Sequence, residues 1–353
     1  MSTVVTVLVA VLVFGALIFI HEFGHYIFAR IFHVTISDFS IGMGPKLLTY
    51  TSKKTNIRYS LSMLPIGGYV AMVGEDGTSD DPNSFDKKPA WQRFIITAAG
   101  ATVNIVAGFL AMILLVACTA NLGSTTVHSF LTAEEKEKYG YDISSEDSGL
   151  MAGDTVIAVG KKRVHVLDEL AYEIMRQGNK PVSVTVRRDG GIVTLENVVF
   201  PTEESEGQLF GTMDFRVYRL NKNFGTTLSY SWRKSVLTVR MCWESLFDLI
   251  TGRYTFAAVS GPVGISSAIG SAARSGALAL LNIIVLISIN LGVMNLLPIP
   301  ALDGGRLFTI LIEMVTRKKM PPKVEGIINT VGLGLLLLLM LIVSVKDVFQ
   351  IFR

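Results

Sequence analysis

The sequence has few charged residues, few histidines and almost no cysteine. Only 17% of its 353 residues are Asp, Glu, Lys or Arg, whereas soluble domains carry about 25%, and half of the residues are hydrophobic. This shortage of charge excludes an ordinary soluble protein and indicates a membrane protein with a polar part attached. The net charge of +3 is too small to indicate a nucleic-acid partner.

Cys118 and Cys242 are the only cysteines, and they form no Cys-x-x-Cys pattern, which indicates two inert thiols rather than a metal or redox motif. Two of the five histidines carry more information. His21 and His25 stand with Glu22 in H-E-x-x-H spacing. On a helix this spacing puts both imidazoles on one face, one turn apart, where they can bind one metal ion with the glutamate beside them.

The H-E-x-x-H motif follows an apolar run, residues 4–20, and so lies inside a predicted transmembrane helix. Metal-binding and charged side chains are costly at that depth and are functional by default. The alternative is a helix that carries two histidines and a glutamate near the membrane interface by chance. An open zinc site needs a third protein ligand, which has to come from another part of the chain.

Four segments are long and apolar enough to span a bilayer, which takes about 20 residues. They cover residues 4–31, 94–120, 277–297 and 324–345. The first has neither the basic flank nor the cleavage site of a signal peptide, and we expect it to be retained. Small residues in the second span predict close helix packing, and we assign them no chemistry.

The distribution of lysine and arginine predicts the orientation. The loop after the first span and the connection between the third and fourth spans are both rich in these residues, which places both loops in the cytoplasm. Both termini and the long segment between the second and third spans then face outward. His21 comes roughly 25 Å from the outer end of its helix at 1.5 Å per residue, near the cytoplasmic face.

The first cytoplasmic loop has strand-like residues on both sides of Pro65-Ile66-Gly67-Gly68. The pattern over residues 58–74 predicts a β-hairpin with a glycine-rich turn, apolar enough to dip into the membrane if its backbone is paired. A small sheet on the cytoplasmic surface is the alternative. The acidic residues that follow are expected in solvent rather than as metal ligands: Glu75, Asp76, Asp80, Asp81 and Asp86.

The polar segment over residues 125–201 predicts a small domain with strand, turn, strand, helix and hairpin in that order. It resembles a bacterial, circularly permuted PDZ domain through the run from Ser148 to Asp154 and the VIAVG that follows. PDZ domains bind peptides by strand addition. Residues 224–253 are amphipathic and predict either an interfacial helix on the outer membrane surface or a helix packed on the PDZ domain.

A third ligand is predicted at the end of the third span, in NLLPIPALDGGRL. Pro298 and Pro300 interrupt the apolar helix, and irregular backbone at membrane depth must be buried or line a cavity. Asp303 lies at the depth inferred for His21 and His25. Two histidines, one aspartate and a water form an open, catalytic type of zinc site.

HEFGH, GGYV, the PDZ module, GPVGI and NLLPIPALDGG together resemble the site-2 protease family over essentially the whole chain, and most closely its bacterial regulator-of-sigma-E branch. The sequence departs from the best-known members in having room for one PDZ domain rather than two. The resemblance implies a polytopic α-helical protein of the bacterial cytoplasmic membrane, with four transmembrane helices, a membrane-associated β-hairpin and one extracytoplasmic PDZ domain. The expected divisions are 1–120, 121–204 for the PDZ domain, 205–275 for a post-PDZ amphipathic region, and 276–353.

The resemblance also implies the site: His21, His25 and Asp303 bind Zn²⁺, and Glu22 acts as general base. Asn295 would hold the substrate backbone or oxyanion. An extended substrate would pair near Gly67 and Gly68. The implied substrates are single-span membrane proteins, such as anti-sigma factors or signal-peptide remnants, with membrane lipids and a PDZ-bound peptide as further partners.

Two other interpretations remain from the sequence. A non-proteolytic zinc-binding membrane chaperone or transporter with a PDZ module would keep the metal, although the chain lacks the inverted repeat of many transporters. A PDZ scaffold without chemistry would leave HEFGH and LDGG unexplained. Zinc content separates the scaffold from the others, and proteolysis separates the protease from the chaperone.

Overall fold

The computed structural model describes residues 3–75, 77–205, 208–253 and 259–351. The chain divides into two compact units. One consists of Met1–Ala111 with Cys242–Arg353, and the other consists of Met112–Met241. The helices are α1 (Thr3–Ile31), α2 (Ala90–Cys118), α3 (Ala133–Tyr139), α4 (Leu167–Gln177), α5 (Phe224–Ile250), α6 (Pro262–Ser275), α7 (Ala277–Asn295), α8 (Asp303–Thr316) and α9 (Pro322–Ile351). The strands are β1 (Ile36–Thr51), β2 (Arg58–Met72), β3 (Leu122–Phe130), β4 (Thr155–Val159), β5 (Lys162–Arg163), β6 (Val182–Arg188), β7 (Gly191–Val198), β8 (Thr202–Ser205), β9 (Gln208–Gly211) and β10 (Phe215–Leu220).

Four helices of the described chain are long and apolar enough to cross a membrane: α1, α2, α7 and α9. They confirm the four predicted spans, with ends that differ by a few residues. The apolar surface of α9 is largely exposed: Leu335, Leu338 and Leu341 are 62%, 53% and 61% exposed. A helix that is hydrophobic all round belongs in a core or in lipid, and this one is not covered by protein.

Strands β1 and β2 form a two-stranded sheet that corrects the predicted hairpin. Residues 38–41 of β1 are paired with residues 68–71 of β2 on one side and with residues 58–61 on the other. The two arms on either side of Gly67 therefore both pair with β1, and the predicted hairpin between them is wrong. The alternating pattern located both arms but carried no information on the partner, and β1 was not predicted as a strand.

Asp38 holds this sheet together from within. Its carboxylate is buried and accepts hydrogen bonds from Arg58 Nε at 2.7 Å and from Lys46 Nζ at 2.9 Å. The bond from Arg58, with help from Lys46, lowers the pKa of Asp38 to about 2. The sheet packs on α1 through a core that includes Ala29, Ile36, Phe39 and Val70, and this packing brings β2 alongside the H-E-x-x-H segment.

Glu75, predicted to lie in solvent, instead forms an ion pair with Arg306 of α8. Arg306 Nη2 also donates to the Glu75 backbone oxygen at 2.9 Å, and its Nε lies 3.6 Å from Glu325 Oε1 of α9. The segment that follows β2 is therefore bound to α8, and Arg306 of α8 also lies close to Glu325 of α9. Asp76 lies outside the described residues.

Helix α7 ends at Asn295 and α8 begins at Asp303, which confirms the predicted interruption at NLLPIPALD. Gly304 explains how the chain turns so tightly here. A Cβ at Gly304 would lie 1.9 Å from the backbone oxygen of Leu297, so only glycine allows the loop to fold back on the first turn of α8. This close approach sets the position of Asp303.

The second unit is built on a sheet of order β10-β3-β4-β6-β7, with β5 paired to β4. Its core is apolar and fully buried at Val127, Leu150, Leu170, Ile174 and Phe200. The predicted hairpin across Asp189 and Gly190 is formed by β6 and β7. The sheet takes its edge strand β10 from Phe215–Leu220, beyond the predicted 121–204 interval.

Helix α5 packs on α4 in this unit. Arg240 pairs with the buried carboxylate of Glu173, and Asp168 accepts from Tyr230 Oη at 2.6 Å and pairs with Lys234 Nζ at 2.8 Å. These contacts agree with one of the two predicted alternatives, a helix packed on the globular domain. Trp232 is nevertheless 58% exposed, so the interfacial location stays a prediction.

Candidate metal centre

Helix α1 presents His21 and His25 on one face, as the four-residue spacing predicts. Both are buried, each with 8% of its surface exposed. Their Nε2 atoms lie 3.2 Å apart. The two ring nitrogens that could bind a metal therefore point at the same small volume.

Asp303, the first residue of α8, completes the group. Its Oδ2 lies 3.1 Å from His21 Nε2 and 3.2 Å from His25 Nε2. Ligands about 2.0–2.1 Å from a tetrahedral zinc ion are roughly 3.3 Å apart, so the triangle of two nitrogens and one oxygen fits the ion. Within the described residues this is the group of three or more His, Cys, Asp or Glu side chains that could hold a metal.

The surroundings of Asp303 suit the same role. Its Oδ2 is buried and has no hydrogen-bond partner within the described residues. A buried carboxylate oxygen without a partner is costly, and a bound metal ion would satisfy it.

The orientation of His25 is set by α2. Its Nδ1 lies 2.9 Å from the backbone oxygen of Ile96, which can only accept a hydrogen bond. Nδ1 therefore carries the proton of the neutral imidazole, and the lone pair is on Nε2, which faces His21 and Asp303.

Gly100 leaves room for the His25 ring. A Cβ at this position would lie 2.2 Å from His25 Nε2, too close for the imidazole to stay in place. We therefore expect Gly100→Ala to weaken zinc binding by at least about 10-fold, the lower end of the effect of disturbing a ligand's surroundings. Zinc affinity can be measured by competition with a chromogenic chelator.

Gly15→Ala in α1 is the matched control, because a Cβ there meets nothing within 4 Å. This variant should bind zinc as the wild type does. Unchanged zinc affinity in Gly100→Ala would show that His25 does not bind the ion in the observed position.

Glu22 and Gly68 are brought together beside the triangle. A Cβ at Gly68 would lie 3.0 Å from Glu22 Cγ and 3.0 Å from the backbone oxygen of Ser40. The backbone of β2 therefore approaches Glu22 closely. Gly67, the preceding residue, has φ of 83°, which lies in the region that favours glycine, and it provides the bend in the strand.

Asn295, at the end of α7, also reaches the site. Its Nδ2 lies 3.5 Å from His21 Nδ1. Of the predicted site residues, His21, His25 and Asp303 form the triangle, Asn295 approaches His21, and Gly68 lies against Glu22. Gly67 instead lies against the side chain of Met43. His128 and His165 lie in the second unit, where they contact Ser129 and Glu169.

Helix α2 also contributes to the site, which was not predicted from the sequence. Ile96, Gly100 and Asn104 recur every fourth residue, so they lie on one face of the helix, and all three contact the two histidines. Asn104 offered a clue, because a buried amide in the middle of an apolar span is costly and is usually functional.

Comparison with known proteins agrees with this centre. The model of peptidase family M50 matches residues 9–339. A protein of Clostridium acetobutylicum that carries a zinc-metalloprotease name is 35% identical over 344 residues, which cover 97% of each chain. A similarly named protein of Fusobacterium nucleatum is 31% identical over an alignment 360 positions long, which covers 99% of this chain and all of the other.

Zinc metalloprotease RasP of Shouchella clausii is 26% identical over an alignment 433 positions long, which covers 98% of this chain and 99% of that protein. The likeness therefore extends from the H-E-x-x-H helix to the last span. The chain belongs to peptidase family M50, the site-2 protease family, and is a multi-pass membrane metalloprotease with zinc as its cofactor.

Proposed function

We propose that the protein is an intramembrane endopeptidase that cleaves single-span membrane proteins within or beside the bilayer. The observation that carries this proposal is the position of the metal triangle on and beside helices apolar enough to span a membrane. His21 and His25 belong to a helix apolar enough to span a membrane, and Asp303 follows another such helix by a short loop. A metal site on membrane-spanning helices would act on a peptide bond that is itself in the membrane.

His21, His25 and Asp303 would hold zinc in this proposal. The bound ion would supply the Lewis acidity that polarises the carbonyl oxygen of the scissile bond. Glu22 takes one proton from the attacking water as the new carbon–oxygen bond forms. It then returns that proton to the amine nitrogen as the carbon–nitrogen bond breaks.

Asn295 and the bend of β2 would present the substrate. The Asn295 amide lies next to His21, within reach of a substrate backbone or oxyanion bound at the metal. Residues 68–71 are paired with β1 on one side, and the other side offers an edge to which an extended segment can be added. Without a side chain at Gly68, such a segment could come close to Glu22.

The second unit would act as an extracytoplasmic PDZ domain that binds a peptide at a sheet edge. β7 and β10 lie at the two ends of its sheet and are the candidate edges. The likeness to bacterial proteins supports a location in the bacterial cytoplasmic membrane. The Lys/Arg distribution favours an orientation with the metal site near the cytoplasmic face. The substrates would be those of regulated intramembrane proteolysis, such as anti-sigma factors or signal-peptide remnants.

Removal of zinc tests the enzymatic part of the proposal. The full-length protein is reconstituted into vesicles with a model single-span substrate, and cleavage is followed on gels. Chelation should stop cleavage, and added zinc should restore it to at least half of the starting rate. Cleavage that continues after the metal has been removed would contradict the proposal.

A further inference from the structure

His21 has two asparagine side chains at the ring nitrogen that faces away from the triangle. Asn104 Nδ2 lies 3.4 Å from His21 Nδ1, and Asn295 Nδ2 lies 3.5 Å from the same atom. His25, by comparison, meets the backbone oxygen of Ile96 at its Nδ1. The two histidines are thus approached by different chemical groups.

We propose that Asn104 is the positioning residue of His21, with its side-chain oxygen accepting the hydrogen of His21 Nδ1 and so directing Nε2 at the zinc ion. The inference rests on the proposed ligand set. For Nε2 to offer a lone pair to zinc, Nδ1 of the neutral imidazole must carry the hydrogen. That hydrogen needs an acceptor, which an amide NH₂ group is not.

The Asn104 amide can supply this acceptor by a half-turn about its last side-chain bond. Its Oδ1 is buried and has no hydrogen-bond partner within the described part of the chain. The half-turn exchanges the amide oxygen and nitrogen, which have nearly the same shape. Asn104 Oδ1, which was buried without a partner, then accepts the hydrogen of His21 Nδ1.

Burial distinguishes the two asparagines. Asn104 is completely buried in α2, and its own backbone oxygen accepts from Ser288 Oγ of α7 at 2.8 Å, so its position is held on both sides. Asn295 is only partly buried, at the last residue of α7. Asn104 is therefore suited to fix an imidazole, whereas Asn295 remains available to a substrate.

The result is a shared role for one face of α2. Ile96 accepts from His25, Asn104 accepts from His21, and both rings are held with Nε2 toward Asp303. An acceptor of this kind on a metal-binding histidine fixes both its tautomer and its orientation, and its loss costs about 10- to 100-fold in metal affinity or activity.

The test is the zinc affinity of full-length protein in detergent, measured by competition with a chromogenic chelator. Asn104→Leu keeps the volume but removes the acceptor, and we expect it to weaken zinc binding by about 10- to 100-fold. Asn104→Asp keeps an acceptor and should bind zinc within about threefold of the wild type. Asn295→Leu should also keep its zinc and lose cleavage, since we assign it to the substrate.

Wild-type affinity in Asn104→Leu would overturn the inference, as would an equal loss in Asn104→Asp or a loss in Asn295→Leu alone. If Asn104→Leu does not fold, the zinc-loaded wild type decides by ¹⁵N NMR of labelled histidine. The two histidines whose signals respond to zinc should both carry hydrogen on Nδ1, and an unprotonated Nδ1 on His21 would overturn the inference.

These outcomes are separate from the fate of the proposed function. A wild type that binds no zinc would end both proposals. A wild type that binds zinc and cleaves its substrate, with Asn104→Leu equal to it, would end only the assignment of Asn104.

Discussion

Glu22→Gln should hold one zinc ion per chain and cleave its substrate at least about 10²–10⁴-fold more slowly than the wild type. Glutamine keeps the shape of the side chain but cannot take a proton from water, and general acid–base catalysis contributes about this factor. The zinc ligands His21, His25 and Asp303 are unchanged, so metal binding should persist. Zinc is measured by elemental analysis, and cleavage in reconstituted vesicles.

Glu134→Gln is the matched control, because Glu134 lies exposed on α3 in the other unit. It should cleave at the wild-type rate. Full proteolysis in Glu22→Gln would remove Glu22 from the mechanism, and a loss of zinc in that variant would make its effect one of metal binding rather than of proton transfer.

Asp303→Ala should lose zinc and proteolysis together. Removal of the carboxylate leaves two imidazole Nε2 atoms, 3.2 Å apart, with no anionic ligand. Because the loss of a residue that merely supports a ligand already costs about 10- to 100-fold, we expect zinc affinity to fall by more than about 100-fold. Elemental analysis after gel filtration reports the zinc that remains bound.

Asp347→Asn controls for the loss of a buried aspartate elsewhere in the same unit. Asp347 is 4% exposed, and its Oδ2 accepts from the backbone nitrogens of Gly261 at 2.9 Å and Gly264 at 2.8 Å. Asparagine keeps an acceptor there, so zinc should stay bound. Stoichiometric zinc in Asp303→Ala would contradict the ligand set and require another ligand.

Features written in short, local patterns were predictable from the sequence. The apolar runs gave four spans, because about 20 residues without charge can satisfy their backbone only as a helix in a membrane. The spacing of His21 and His25 placed both rings on one face of α1. Asp303 was found because Pro298 and Pro300 mark a break in an apolar helix, at a depth that matches the histidines.

Features that depend on partners distant in the chain were not predictable. Strand patterns near Gly67 located two arms, but the sequence could not show that both pair with β1. Glu75 was expected in solvent because the charge of Arg306 lies far along the chain and is brought to it only by folding. Asn104 was overlooked because the small residues elsewhere in its span, such as Gly100 and Gly108, suggested helix packing alone.

The central claim is that this zinc metalloprotease cuts inside the membrane, and the position of the cut tests it most directly. The full-length protein is reconstituted with a model single-span substrate, and mass spectrometry identifies the new termini of the products. We expect the cleaved bond to lie within the substrate's apolar span, and no such product with Glu22→Gln. Cleavage confined to the water-exposed flanks, or none from a protein that holds one zinc ion per chain, would contradict the account.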